Sequence, residues 1–474
     1  MKSPRRAALA GSGDGSVDLY ELRRKVYPRA VTGWFARWRW AMVWLTQLVF
    51  YGLPWLQWNG RQAVLFDLES RRFFIFGLVL HPQDFIYLTG LLVISAMSLF
   101  LFTTIAGRLW CGYACPQTVY TEIFLWIERR IEGDRIKRMK LDKAPMSARK
   151  FGIKAAKHAA WILLALWTGF TFVGYFTPIQ ELAGLVASAS LGPWQTFWIL
   201  FYGFATYGNA GFMREQVCKY MCPYARFQGV MFDRDTLVIT YDARRGEPRG
   251  SRSRKADPAM LGLGSCIDCG LCVEACPTGI DIRDGLQIEC IGCAACIDAC
   301  DSVMAKMNYA PGLIRYDTEN GMEQGWGRRQ LWRRVLRPRV LVYTTILLAV
   351  SIALVGHMVT RSPVKLDVIR DRGTLAREVE DGMIENVYRL QIMNSSEEDR
   401  SYVLSVSGLD TVFIDSGTEV EVGAAGNRLV PVRVRIRPDI GEPGTHTIYF
   451  GITDRDDPGV SVSEKTTFYV PRPR

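Results

Sequence analysis

Five apolar stretches, at roughly 39–58, 84–106, 159–178, 193–212 and 339–359, constrain this 474-residue chain more than any other feature. Each is close to the ~20 residues a helix needs to cross a ~30 Å hydrocarbon core. The third reads AAWILLALWTGFTFVGYF and the fifth RVLVYTTILLAVSIALVGHMV. Trp38, Trp40, Trp55 and Trp58 flank the first, where amphipathic rings favour the membrane–water boundary. Inside a bilayer a segment must satisfy its own backbone, and a helix does so within itself. The chain therefore predicts a multi-domain membrane protein with a five-helix α-helical transmembrane bundle.

Lys and Arg counts orient the bundle. The tail 1–38 and its next residue carry nine basic residues, and the 107–158 loop carries twelve. The 59–83 loop has only Arg61, Arg71 and Arg72, and 179–192 has none. Positive loops stay inside; the expected location is a bacterial inner membrane. The flexible basic tail 1–38, the loop 107–158 within the helical region 39–212, and the segment 213–338 are then cytoplasmic. A fifth helix at 339–359 leads to a periplasmic domain, 360–474. Arg5-Arg6 is followed by AALAGSGDG, too short and broken for an export signal. The overall charge of +11 is concentrated before residue 360, and the spans assign it to a membrane surface, not to nucleic acid. The middle three spans have no charged residue well inside, which disfavours a channel or pump. His81, His158, His357 and His446 are too few and too scattered for a bis-His haem site.

All twelve cysteines fall between Cys111 and Cys300. Eight form two runs, Cys266-x2-Cys269-x2-Cys272-x3-Cys276-Pro277 and Cys290-x2-Cys293-x2-Cys296-x3-Cys300. This is the two-cluster ferredoxin spacing, in which the fourth cysteine of each run ligates the other cluster. Cys266, Cys269, Cys272 and Cys300 are assigned to one [4Fe–4S] cluster, and Cys290, Cys293, Cys296 and Cys276 to a second. A ferredoxin-like α+β insert at about 257–310 follows. Zinc sites prefer paired C-x2-C units, and disulfides do not persist in a reducing cytoplasm. Gly270 and Gly292 are expected to leave room for cluster and backbone N–H groups. Asp301 follows Cys300 where many ferredoxins have Pro, which should alter the local turn.

The other four cysteines form two C-x3-C-P units, Cys111…Cys115-Pro116 after the second span and Cys218…Cys222-Pro223 after the fourth. In one helical turn i and i+4 share a face, and the following Pro should end or bend the element. If the second and fourth helices pack side by side, four thiols meet at the cytoplasmic boundary. Soft thiolates suit Cu(I) and also relay electrons by dithiol–disulfide exchange; four buried structural cysteines are the plainer alternative. Lys219, Arg214 and Arg226 either favour thiolate or anchor the topology.

Beyond residue 363 short alternating runs, VYRLQIMN, YVLSVSG, RLVPVRVRIRP, THTIYFGITD and TTFYV, are separated by turn-rich segments. They predict an all-β immunoglobulin-like sandwich without a disulfide, suited to partner docking or to passive anchoring.

LWCGYACPQTVYTEIFLWIERRIEGDR (109–135), REQVCKYMCPYARFQGVMFDRDTL (214–237) and the dicluster block resemble the FixG/RdxA/CcoG family. The resemblance implies an accessory protein for assembly of cbb3-type cytochrome c oxidase that reduces Cu(II) to Cu(I). Copper is then the substrate, the clusters relay electrons, and Cys111, Cys115, Cys218 and Cys222 form the copper-contacting redox site. The implied partners are oxidase subunits or copper-delivery proteins; the chain is either monomeric or a homo-oligomer. With no G-x-G-x-x-G after a strand, electrons come from an unnamed partner. Two other functions fit the same motifs: an assembly scaffold or redox sensor, and a quinol dehydrogenase like the NapH and NosR proteins.

Overall fold

The computed structural model describes residues 25–258, 260–371, 376–379, 382–437 and 442–472. Most of the basic tail, residues 1–24 including Arg5-Arg6, lies outside the described residues. The helical region is built from α1 (Trp34–Gly52), α2 (Phe85–Ala106), α3 (Leu109–Tyr113), α4 (Pro116–Glu132), α5 (Arg135–Lys143) and α6 (Ala148–Val173). It continues through α7 (Ile179–Ala187), α8 (Pro193–Thr206) and α9 (Pro223–Met231), and a last long helix covers Pro338–Val359.

Among the described residues three helices, not five, are long and apolar enough to cross a membrane: Pro82–Ala106, Ala148–Val173 and Pro338–Val359. The other two expected spans are helical but fall short for physical reasons. α1 mixes four tryptophans with Arg37 and Arg39 and gives way at Gly52 to a 3-10 turn containing Pro54. α8 is α-helical for only 14 residues before it widens into a π-helix, Tyr207–Met213. The apolar faces are bare: Phe85, Ile86, Leu88 and Leu92 on α2, and Leu341, Val342, Ile352 and Val355 on the last helix, are all exposed. Apolar surface of that extent is stable against lipid and not against water. The chain is a membrane protein.

Small residues bring the helices together. A Cβ on Gly169 of α6 would meet the Ile199 carbonyl of α8 at 2.2 Å, and one on Gly90 of α2 would meet Leu354 of the last helix at 2.6 Å. Such close approach is how helices associate where lipid removes the hydrophobic drive. Thus α2 pairs with the last helix and α6 with α8.

On one side of this bundle sits the cysteine-rich module. Its two-stranded antiparallel sheet pairs Val238–Tyr241 with Ile314–Asp317, and the helices Leu271–Ala275 and Ala295–Met307 carry cysteines. Residues 25–36 bind it directly: Arg29 pairs with Glu274, and the Phe35 and Ala36 N–H groups donate to Asp298. On the other side the hairpins of 57–80 meet the C-terminal domain. Glu397 accepts from Arg61 at 2.6 Å and from Trp58 at 3.1 Å, and Arg72 donates to the Ala425 carbonyl at 3.0 Å.

The C-terminal domain is a two-sheet antiparallel sandwich. One sheet contains Val364–Arg370, Ile384–Asn394, Asn427–Ile436 and Phe413–Ile414, with Arg377–Glu378 off its edge. Glu419–Val422, Arg400–Ser407, Gly444–Asp454 and Ser461–Val470 form the other. Tyr388, Leu390, Ile392, Phe450, Ile452 and Phe468, all fully buried, form its core. The five expected runs are strands here. Val364–Arg370 and Glu419–Val422 are additional: VKLDVIR follows a span and EVEV is dominated by charge.

Candidate redox site

Two cavities open inside the module. One is lined by Cys266, Cys269, Cys272 and Cys300, the other by Cys276, Cys290, Cys293 and Cys296 with Cys272 at the shared wall. Three cysteines of each set come from one loop and the fourth from the helix that follows the other. Four thiols around each cavity suit an iron–sulfur cube, whose corners take thiolate.

Backbone conformation explains the loops. Each holds two left-handed residues at equivalent places, Asp268 and Gly270 in the first and Gly292 and Ala294 in the second. Gly270 and Gly292 are therefore not counterparts. Gly292 has a further constraint, because a Cβ there would lie 3.0 Å from the Arg108 carbonyl. Cys276-Pro277 ends the helix Leu271–Ala275, whereas Asp301 lets Ala295–Met307 run on past Cys300. The Asp301 carboxylate then accepts the Gly312 N–H at 2.8 Å.

The four remaining thiols meet, but not as the sequence suggested. Neither C-x3-C unit is one helical turn. Cys111 lies in α3 and Cys115 caps α4; Cys218 lies in a π-helix, Val217–Met221, and Cys222 caps α9. Pro116 and Pro223 begin helices rather than end them, because Pro at the first helical position lacks only an N–H that would be unpaired. The meeting does not come from α2 packing on α8, since their partners are the last helix and α6. It comes from the short elements beyond them.

Cys111 and Cys218 share one buried cluster, and their electrostatics fit that packing. Burial pushes the Cys111 thiol up to about 11 and Cys218 up to about 12, and each is raised further by Cys115 and Cys222. Cys115 is also raised by burial, against the opposing effect of the Gln117 and Thr118 N–H groups at the start of α4. Of Lys219, Arg214 and Arg226, Arg214 is already paired with a buried acid. Arg214 bonds Glu128 at 3.1 Å, in a buried network with Arg138 and Lys157. The cation whose field reaches Cys111, Cys218 and Cys290 is Arg108, buried and bonded to the Ile288 and Ala225 carbonyls. Fully buried Gln228 donates its amide N–H to Cys111 Sγ at 3.3 Å.

The four-thiol set lies against the second cavity of the module. Cys111 and Cys218 pack on the buried cluster of Ala275, Ile291, Cys293, Ala295 and Ala299. A Cβ on Gly112 would be 2.7 Å from the Cys293 Cα, so α3 rests backbone to backbone on that cysteine's loop. Arg39 of α1 holds the Cys293 carbonyl at 2.6 Å, and Tyr316 holds that of Gly292 at 2.5 Å. A cavity of mixed polarity reaches Cys218 and Cys293 together, past Trp40, Gln117, Glu122 and Arg214.

Sequence reasoning missed Arg108, Gln228 and Arg39. A charged residue three positions before Cys111 was one available signal; Gln228 had none, because its role depends on where α9 lies.

Helices crossing lipid, a cysteine-lined pair of cavities and a buried thiol set define a membrane-bound iron–sulfur redox protein. Family models match the same parts of the chain. A 4Fe-4S dicluster domain matches 213–319, wider than the expected 257–310; a 4Fe-4S binding domain matches 88–133; the IG-like fold at the C-terminal of FixG matches 354–471. The chain is 38% identical over 454 residues to nitrogen fixation protein FixG of Rhizobium meliloti (88% of this chain, 87% of that one). It is 40% identical over 397 residues to protein RdxB of Cereibacter sphaeroides (82% and 83%). A solved FixG-related protein from Vibrio parahaemolyticus is 27% identical, covering 23% of this chain and 97% of that one, with a TM-score of 0.21. The chain belongs to the FixG/RdxA family.

Proposed function

We propose that this protein reduces Cu(II) to Cu(I) for assembly of a cbb3-type cytochrome c oxidase. An external one-electron donor reduces the module, and one electron per ion leaves through the four-thiol site: Cu(II) gains it, and the donor is oxidised by one. The single observation that carries this reading is the backbone contact of Gly112 with Cys293. A thiol set next to an electron carrier is what one-electron delivery to copper requires, which supports the reading. Bound clusters would supply low-potential one-electron carriers. Cys266, Cys269, Cys272 and Cys300 would hold one, and Cys276, Cys290, Cys293 and Cys296 the other. Arg108 neutralises charge between the two sites, and Gln228 orients Cys111.

In this reading α1 and α8 also cross, making five spans. Arg39 then sits at the inner boundary, where its bond to Cys293 keeps its charge out of lipid. The basic 107–158 segment and the module face the cytoplasm, and the sandwich faces the periplasm, where it docks oxidase subunits or copper-delivery proteins. Replacing Cys111, Cys115, Cys218 and Cys222 by Ala should abolish Cu(II) reduction by dithionite-reduced protein. Ferredoxin-type EPR signals should persist. Undiminished reduction and oxidase assembly would sink the site assignment; assembly surviving without reduction would favour a scaffold.

A further inference from the structure

We propose that Cys111, Cys115, Cys218 and Cys222 together hold a third iron–sulfur cluster, so that the chain carries three rather than two. This rests on the four-thiol set being the electron exit and names its resident group.

Three observations converge. The 4Fe-4S binding model over 88–133 contains two cysteines, Cys111 and Cys115, whereas a cube takes four thiolates. The fold supplies the missing pair, Cys218 and Cys222, by packing Cys218 on the same buried cluster as Cys111. Next, α3 rests backbone to backbone on the Cys293 loop, so the set adjoins the second cavity of the module.

The surroundings are those of an anionic centre. Cys115 and Cys222 cap α4 and α9, so two helix N-termini converge on the set with their positive ends. Cys115 sits at the N-terminus of α4, and the Gln228 amide donates to Cys111 Sγ. Buried Arg108 adds a full positive charge. Hydrogen bonds to sulfur and nearby charge are what tune such clusters. Electron transfer from the neighbouring cavity then needs no proton and no bond change: one centre is oxidised by one electron and the other is reduced by one.

Full-length protein purified without oxygen in detergent, with iron and acid-labile sulfide counted per chain, tests this. The expected result is about twelve irons in the wild type and about eight in a Cys218→Ser/Cys222→Ser double variant that keeps its ferredoxin EPR signals. About eight irons in both would overturn it. So would one copper per chain that survives chelation and is lost in the variant. Should the variant fail to fold, the wild-type count decides alone. About twelve irons without Cu(II) reduction would sink the proposed function and leave the third cluster standing. About eight irons, with Cu(II) reduction lost in the variant, would do the reverse.

Discussion

Arg108 joins three pieces of chain through one side chain. Its guanidinium satisfies carbonyls of the module and of α9 while its charge faces thiols of both redox sites. A positive charge stabilises the reduced, more negative form of a nearby centre. Replacing Arg108 with Met should therefore lower the midpoint potentials, by on the order of 50 mV for a charge ~10 Å away at an effective dielectric of ~20. An EPR-monitored redox titration reads this, and unchanged potentials would deny Arg108 an electrostatic role. Glu385 is the corresponding residue in the outer domain. Burial raises its pKa, but Arg435 and Arg377 outweigh burial and hold it below the ordinary carboxylate value. Its contribution is thus present above the unfolded pKa of ~4.3 and is lost as pH falls through the lower folded value. Wild type should lose outer-domain thermal stability on acidification to about pH 3, and Glu385→Gln should lose less over the same range.

Helix ends, more than helix spans, build the site. The C-x3-C-P units work because each Pro opens a helix, which turns the preceding cysteine into a cap facing unpaired N–H groups. Where the elements touch, there is no spare volume. Gly112→Ala would force a methyl into the Cys293 backbone, at a cost of roughly 1–3 kcal/mol. The expected outcome is iron content unchanged, with electron delivery to Cu(II) slowed in stopped-flow traces. Normal delivery would mean that the contact is not the route. The buried network behind the site, Glu128 with Arg138, Arg214 and Lys157, ties α4, α5, α6 and the π-helical stretch into one support.

At the scale of the whole molecule, the two sides of the bundle are kept distinct by their own contacts. The hairpins of 57–80 clasp the sandwich through Glu397, while Lys365 and Arg361 converge on Asp84 just before α2. Glu397→Ala should free the sandwich by about 1 kcal/mol. Cleavage at the 360–363 linker should then be roughly fivefold faster if proteolysis follows the open population. An unchanged rate would show the clasp to be incidental.

Local chemistry was legible because it is written locally. Three cysteines within one loop, apolar runs of ~20 residues and the period-2 pattern of the sandwich each depend on neighbours in sequence. Of the five expected spans, α1 with its arginines and α8, which widens into a π-helix after 14 residues, fall short of the length and apolarity of the other three. What only tertiary structure decided is the gathering of Cys111 with Cys218, about a hundred residues apart, and their placement on Cys293. Arg108 and Gln228 likewise took their roles from it. Spacing along a chain sets which atoms of one loop converge, but contacts across distant segments follow from how whole elements pack, and no short motif encodes that.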